Sequence, residues 1–195
     1  MVNKLSDEHE CPLDIQMFKF IDTHLHVYYK LGLTPNMVTT LAFLFGLFSA
    51  YQITQKNFVI AAMLWIISYY FDCVDGKLAR QYNMVTKFGD YYDHVCDILK
   101  YIAMCYALFR INKYTIRKHQ WTFIIIIGIL TFLSGVHMGY QESVYNKKEE
   151  SSILNILQQL VAFDQHPHQT IKYTRHFGCG TWFLGVTLLI IFWHK

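Results

Sequence analysis

Charge is scarce in this chain. Only 16% of its 195 residues are Asp, Glu, Lys or Arg, against about 25% in soluble domains. Residues 31–55, 119–141 and 176–194 carry none of the four. Hydrophobic residues make up 53% instead, which argues against an ordinary soluble domain. The net charge of +3 is too small to mark a nucleic-acid binder, and no nucleic-acid partner is expected. The five cysteines form no C-x-x-C pair, so they are expected as free thiols packed as small apolar groups. The opening MVNKLSDEHECPLDIQ lacks an apolar core, and no cleavable signal peptide is expected. Internal repeats and low-complexity tracts are also missing.

What is present is a set of candidate membrane spans. Crossing a hydrocarbon core of about 30 Å takes about 20 apolar residues, and each uncharged run comes near or above that length. Two shorter apolar runs flank a polar centre. Residues 57–71 end at Asp72, and residues 98–109, apolar apart from Lys100, follow Asp97. Segment 57–82 is thus apolar first and charged last, and segment 86–111 reverses the order. A short link around Tyr82–Val85 joins the polar ends. Two antiparallel helices would bring both polar halves to one membrane face and form a hydrophilic pocket there.

The stretch 151–163 is either a short span or a helix lying at the interface. Counting it, the chain reads as all-α and polytopic, with six candidate spans. Residues 14–30 mix aromatic and charged residues and read as an interfacial amphipathic helix. Thr34-Pro35-Asn36 then starts the first span, since proline suits the first turn of a helix. One domain is expected over 1–195, with an interfacial segment over 1–30 and a membrane bundle over 31–195. Basic residues divide almost evenly between the two membrane faces. A slight excess on the side of the polar centre points that side to the cytoplasm.

The chemistry concentrates in eight residues between Asp72 and Asp97: Asp72, Asp75, Gly76, Ala79, Arg80, Gly89, Asp93 and Asp97. Residues three and four apart share a helix face, so the first five form one stripe and the last three another. If the stripes face each other, four carboxylates converge. At about 6 Å and an effective dielectric near 20, each pair repels by roughly 3 kcal/mol. Such a cluster must be protonated, splayed apart or bridged by cations. Two divalent ions would neutralise it in full, and all-oxygen ligation suits Mg²⁺ or Mn²⁺. Gly76, Ala79 and Gly89 leave room beside the acids for a bulky ligand. Arg80 adds a planar donor fork suited to phosphate. Metals plus arginine describe a site for a diphosphate, and a carboxylate there could take a proton from an attacking hydroxyl.

The pattern D-x2-D-G-x2-A-R-x8-G-x3-D-x3-D resembles the signature of the CDP-alcohol phosphotransferases, with every specified position met. The resemblance implies a homodimeric integral membrane enzyme of phospholipid synthesis. Such an enzyme passes a phosphoalcohol from a CDP-linked donor to a lipid or polar alcohol and releases CMP. By matching position, Asp72, Asp75, Asp93 and Asp97 would bind two metals, and Asp97 would also be the general base. Gly76, Ala79, Arg80 and Gly89 would line the CDP-donor site. Thr86 matches a donor-contacting position of the phosphatidylinositol synthase branch.

Leu33-Thr34-Pro35-Asn36 and Tyr92-Asp93-His94-Val95-Cys96-Asp97 are similar to the choline and ethanolamine phosphotransferase branch, although Val95 stands where that branch has glycine. The expected reaction is therefore transfer from CDP-choline or CDP-ethanolamine to diacylglycerol. In a eukaryote it would occur at the endoplasmic reticulum membrane. Thr86-Lys87-Phe88-Gly89 is like the inositol branch, which keeps a CDP-diacylglycerol-dependent enzyme, with inositol or glycerol phosphate as acceptor, as the alternative. Intramembrane acids also suit a divalent-cation transporter, but such a site gains nothing from Arg80. The H-x-H pairs His24/His26 and His166/His168 read as loop histidines, His137 as a packing residue, and Asp90 and His94 as neighbours of the site.

Overall fold

The computed structural model describes residues 5–115, 120–145 and 157–192. The helices are α1 (Pro12–Asp22), α2 (Leu25–Lys30), α3 (Pro35–Thr54), α4 (Phe58–Gln81), α5 (Lys87–Thr115), α6 (Gln120–Tyr145), α7 (Pro167–Thr174) and α8 (Cys179–Phe192), with a 3₁₀ turn over Arg175–Phe177. No strand occurs among the described residues. Among the described residues, three stretches are long and apolar enough to cross a membrane: Pro35–Thr54, Phe58–Gln81 and Pro167–Phe192. Large apolar side chains such as Phe48, Met63 and Phe132 face outward, as expected where lipid rather than water surrounds a bundle. Residues 151–156 of the stretch 151–163 lie outside the described residues.

α3 begins as its sequence dictates. The Thr34 side chain accepts from the Met37 amide and Pro35 sits in the first turn, where its missing N–H costs nothing. α3 packs along both α4 and α5, while α4 and α5 touch each other little. Small residues make the α3–α4 contact close. Ser68 Oγ donates to the Ala42 carbonyl at 2.7 Å and Ser49 Oγ to the Ala61 carbonyl at 2.7 Å. Cross-helix hydroxyl bonds of this kind replace the hydrophobic drive that lipid does not supply. Trp65, Met104, Leu108 and Ile190 fill the half of the bundle away from the polar centre. Ile21, Leu25, Val38 and Val74 fill the half beside it.

The link between α4 and α5 is short and built from local bonds. Asn83 takes a φ of 54°, a left-handed conformation that asparagine tolerates. The Met84 amide returns to the Ala79 carbonyl at 2.8 Å. Thr86 starts α5: its Oγ1 accepts from the Gly89 amide at 2.9 Å and its carbonyl from the Asp90 amide at 3.1 Å. The expected antiparallel pair is therefore present, but α3 holds the two helices together.

The N-terminal segment differs from the single helix expected over 14–30. The chain breaks at Thr23–His24 into α1 and α2. Thr23 Oγ1 turns back to the Phe20 carbonyl at 2.8 Å, and His24 bonds Tyr70 of α4. Ile21 and Leu25, on either side of the break, both bury completely against α4. Lys77 of α4 is buried in an ion pair with Asp22 of α1, so it does not count among the basic residues of a membrane face.

Candidate active site

The last turns of α4 and the first turns of α5 bring three acids together. Asp72, Asp93 and Asp97 each place a carboxylate oxygen within 4.8 Å of the others. Asp75, one turn along from Asp72, lies in the same region but is turned toward α3. Its Oδ2 accepts from Thr39 Oγ1 at 2.6 Å, and the residue is buried. α3 braces the second stripe as well, through Thr40 Oγ1 and the Tyr92 hydroxyl at 3.0 Å. The gap between α4 and α5 is thus lined by acids, with α3 along its side.

A lysine sits inside this cluster. Lys100 Nζ lies 2.9 Å from Asp72 Oδ1 and 2.7 Å from Asp97 Oδ1, with its side chain 3% exposed. At an effective dielectric near 20, three carboxylates about 5 Å apart repel by about 10 kcal/mol in all, while an ammonium about 3 Å from two of them returns about 5 kcal/mol at each contact. The lysine therefore offsets most of the mutual repulsion of this trio. It leaves Asp93 Oδ1 buried with no hydrogen-bond donor. Asp97 Oδ1 is close to Lys100 but lacks an aligned hydrogen bond. Buried carboxylate oxygens in that state suit a cation. The donor set, oxygen only, fits a hard divalent ion such as Mg²⁺ or Mn²⁺.

The other residues singled out by the sequence lie around these acids. The Arg80 guanidinium folds back over Gly76, where an added Cβ would lie 3.1 Å from one of its terminal nitrogens. The space at Gly76 is thus taken by the arginine. A Cβ at Gly89 would meet Asn36 Oδ1 at 3.0 Å, so this glycine lets the start of α3 approach α5. Ala79 gives its carbonyl to the turn that ends α4. Thr86, which matches a donor-contacting position, caps α5 through its Oγ1. His94 turns onto its own helix, with Nδ1 2.7 Å from the Asp90 carbonyl and 3.8 Å from the Asp90 carboxylate. His137 is fully buried, 3.2 Å from Thr174 Oγ1 and 2.8 Å from Gln141 Nε2, as a packing residue would be. His24 packs against Tyr70 and His26 is exposed.

Sequence reasoning missed two parts of this environment. Lys100 stood out only as a break in an apolar run, although it continues the Asp93–Asp97 stripe. Asp14 of α1 is the other. It is buried, accepts from the Tyr69 hydroxyl one turn before Asp72, and receives the Gly180 amide. A Cβ at Gly180 would come 2.6 Å from Asp14 Oδ1, so only glycine permits this approach. Burial pushes the Asp14 carboxyl above its usual range, opposed by the bonds from Tyr69 and Gly180.

An acid whose pKa is raised on folding loses stability as pH climbs from its unfolded value, about 3.9, through its folded one. Asp14→Asn removes that titration and keeps an acceptor, so it is expected to flatten this part of the melting-temperature profile. Asp14→Ala strands two donors and is expected to cost about 1–3 kcal/mol. Thermal melts across pH check both expectations.

Comparison with known proteins agrees with the geometry. The chain is similar to an archaetidylinositol phosphate synthase of Pyrococcus horikoshii, 33% identical over 99 residues, which is 51% of each chain. It is similar to a CDP-diacylglycerol–serine O-phosphatidyltransferase of Helicobacter pylori, 32% identical over 71 residues, covering 36% of this chain and 30% of that one. It is also similar to choline/ethanolaminephosphotransferase 2 of Arabidopsis thaliana, 35% identical over 83 residues, covering 36% of this chain and 21% of that one. The chain thus spans about half or less of the length of these curated relatives. No solved structure gives a significant match. The sequence model of the CDP-alcohol phosphatidyltransferases matches residues 32–192, from just before α3 to the end of α8, and the chain belongs to that family.

Proposed function

We propose that this chain is a membrane-embedded phosphotransferase of phospholipid synthesis. It moves a phosphoalcohol from a CDP-linked donor to a hydroxyl acceptor and releases CMP. The observation that carries this reading is the meeting of Asp72, Asp93 and Asp97 from two helices, with oxygens within 4.8 Å, beside Arg80. In this reading Asp72, Asp75, Asp93 and Asp97 hold two divalent ions, Mg²⁺ or Mn²⁺. When bound, the ions polarise the phosphoryl oxygens and neutralise developing charge.

The protein side chains do the rest. Arg80 swings its fork from Gly76 to the donor diphosphate, where two parallel hydrogen bonds are available. Gly76, Ala79 and Gly89 keep the helix surfaces low enough for the donor to reach the acids, and Thr86 borders it at the start of α5. Asp97 accepts the proton of the attacking hydroxyl. The hydroxyl oxygen bonds to the phosphorus of the phosphoalcohol. The bond from that phosphorus to the bridging oxygen breaks, and CMP leaves with the electron pair. A cation-transport role is disfavoured, because a site for a divalent cargo gains nothing from the phosphate-suited fork of Arg80.

The similarity of residues 33–36 and 92–97 to the aminoalcohol branch favours CDP-choline or CDP-ethanolamine as donor and diacylglycerol as acceptor. The Thr86–Gly89 stretch and the likeness to an archaetidylinositol phosphate synthase favour a second reading, with CDP-diacylglycerol as donor and inositol or glycerol phosphate as acceptor. The bundle over 31–195 is read with six spans, an interfacial N-terminal segment over 1–30, homodimeric assembly and a site facing the cytoplasm. In a eukaryote it would lie in the endoplasmic reticulum membrane.

A donor panel with purified protein and Mn²⁺ tests the reading. CMP is expected from CDP-choline or CDP-ethanolamine with diacylglycerol, and little from CDP-diacylglycerol with either polar acceptor. The reverse result selects the second reading. No CMP from any pair would refute the phosphotransferase assignment.

A further inference from the structure

Lys100 is not among the motif residues, yet the fold builds a slot for it. Its side chain is 3% exposed and runs past Gly46 of α3, where a Cβ would come within 2.7 Å of its Cδ and 2.8 Å of its Cγ. Any larger residue at Gly46 would push the stem aside. The ammonium lies 5.9 Å from the centre of the Phe183 ring and ends between Asp72 of α4 and Asp97 of α5. A lysine in a membrane helix ordinarily extends its charge toward the headgroups. This one points into the protein and joins the two acid-bearing helices, which otherwise touch little.

We propose that Lys100 is a resident counter-ion of the carboxylate cluster: it holds Asp72 and Asp97 together before divalent ions bind, and it weakens the binding of those ions. The proposal rests on the reading that these acids bind divalent cations. The ammonium and a divalent ion seek the same oxygens, Asp72 Oδ1 and Asp97 Oδ1. The lysine therefore keeps the metal-free site assembled, and the ions bind against its charge. Lys100 acts through the acids and is a positioning residue.

The test is Mn²⁺ binding to the purified full chain, read from the electron paramagnetic resonance signal of free Mn²⁺, together with thermal melts in EDTA and in Mn²⁺. Lys100→Met is expected to bind Mn²⁺ about tenfold more tightly or better, because a like charge has been removed within a few ångströms. Its EDTA form is expected to melt lower than the wild type, with Mn²⁺ recovering the difference. A lysine that only fills space would do the opposite on removal, loosening the site and weakening Mn²⁺ binding. Unchanged or weaker binding by Lys100→Met overturns the proposal. A wild type that binds no Mn²⁺ overturns the metal reading beneath it. Should Lys100→Met fail to fold even in Mn²⁺, Gly46→Ala decides. It displaces the stem without removing the charge, so tighter Mn²⁺ binding supports the proposal and unchanged binding overturns it.

Discussion

Asp97→Asn is expected to lower the rate of CMP release by about 10²–10⁴-fold, the usual worth of a positioned general base. The substitution changes one oxygen for an amide nitrogen of nearly the same size, so α5 keeps its packing against α3. Asp97 is half-buried, and its Oδ1 faces Lys100 at 2.7 Å. An amide cannot accept the acceptor's proton at neutral pH. It also removes one negative charge from a cluster that already contains an ammonium. The rate is therefore expected to fall while donor affinity changes by much less. Steady-state CMP release alongside equilibrium binding of the CDP-alcohol separates the two. A variant with near-normal turnover would remove Asp97 from the role of base.

Removing divalent ions should have an effect at least as large. Chelation with EDTA is expected to stop CMP release, and added Mn²⁺ or Mg²⁺ should restore it. The donor's diphosphate is anionic and would have to approach Asp72, Asp93 and Asp97, whose oxygens lie within 4.8 Å of one another. One phosphate charge about 5 Å from one carboxylate costs about 3 kcal/mol at an effective dielectric near 20, and three carboxylates are present. Lys100 and Arg80 offset part of that, but neither supplies two charges at one point. Ca²⁺ is expected to inhibit, because it accepts looser, higher-coordinate geometry at the same oxygens. A chelated protein that still releases CMP, or full activity in Ca²⁺, would contradict the assignment of these acids as metal ligands.

The site's acids and the helices that carry them could be read from the sequence because the signals are local. Thr34 and Pro35 mark the start of α3 within two residues of each other. The spacing of Asp72, Asp75 and Arg80 places them on one face without any knowledge of what faces them. The features that escaped depend on partners distant in the chain. Asp75 points to Thr39 because α3 crosses beside it, which no spacing within α4 reveals. Asp14 belongs to a segment whose sequence reads only as an interfacial helix; Tyr69 and Gly180, far along the chain, allow it to be buried. Lys77 looked like one more basic residue at a membrane face until Asp22 folded onto it. The break at Thr23–His24 involves a distant partner too, since His24 bonds Tyr70 of α4 there.

The position of α3 along both acid-bearing helices bears on how the chain is assembled during synthesis. Charged side chains oppose the transfer of a helix into lipid, by about 3 kcal/mol for an Asp or Lys at its centre and less toward its ends, and the last turns of α4 and the first turns of α5 carry several. Because α3 precedes both in the sequence, it leaves the ribosome first. Thr39 and the notch at Gly46 would then be available when these polar helices arrive. The two segments least suited to lipid would meet a protein surface already shaped to receive them.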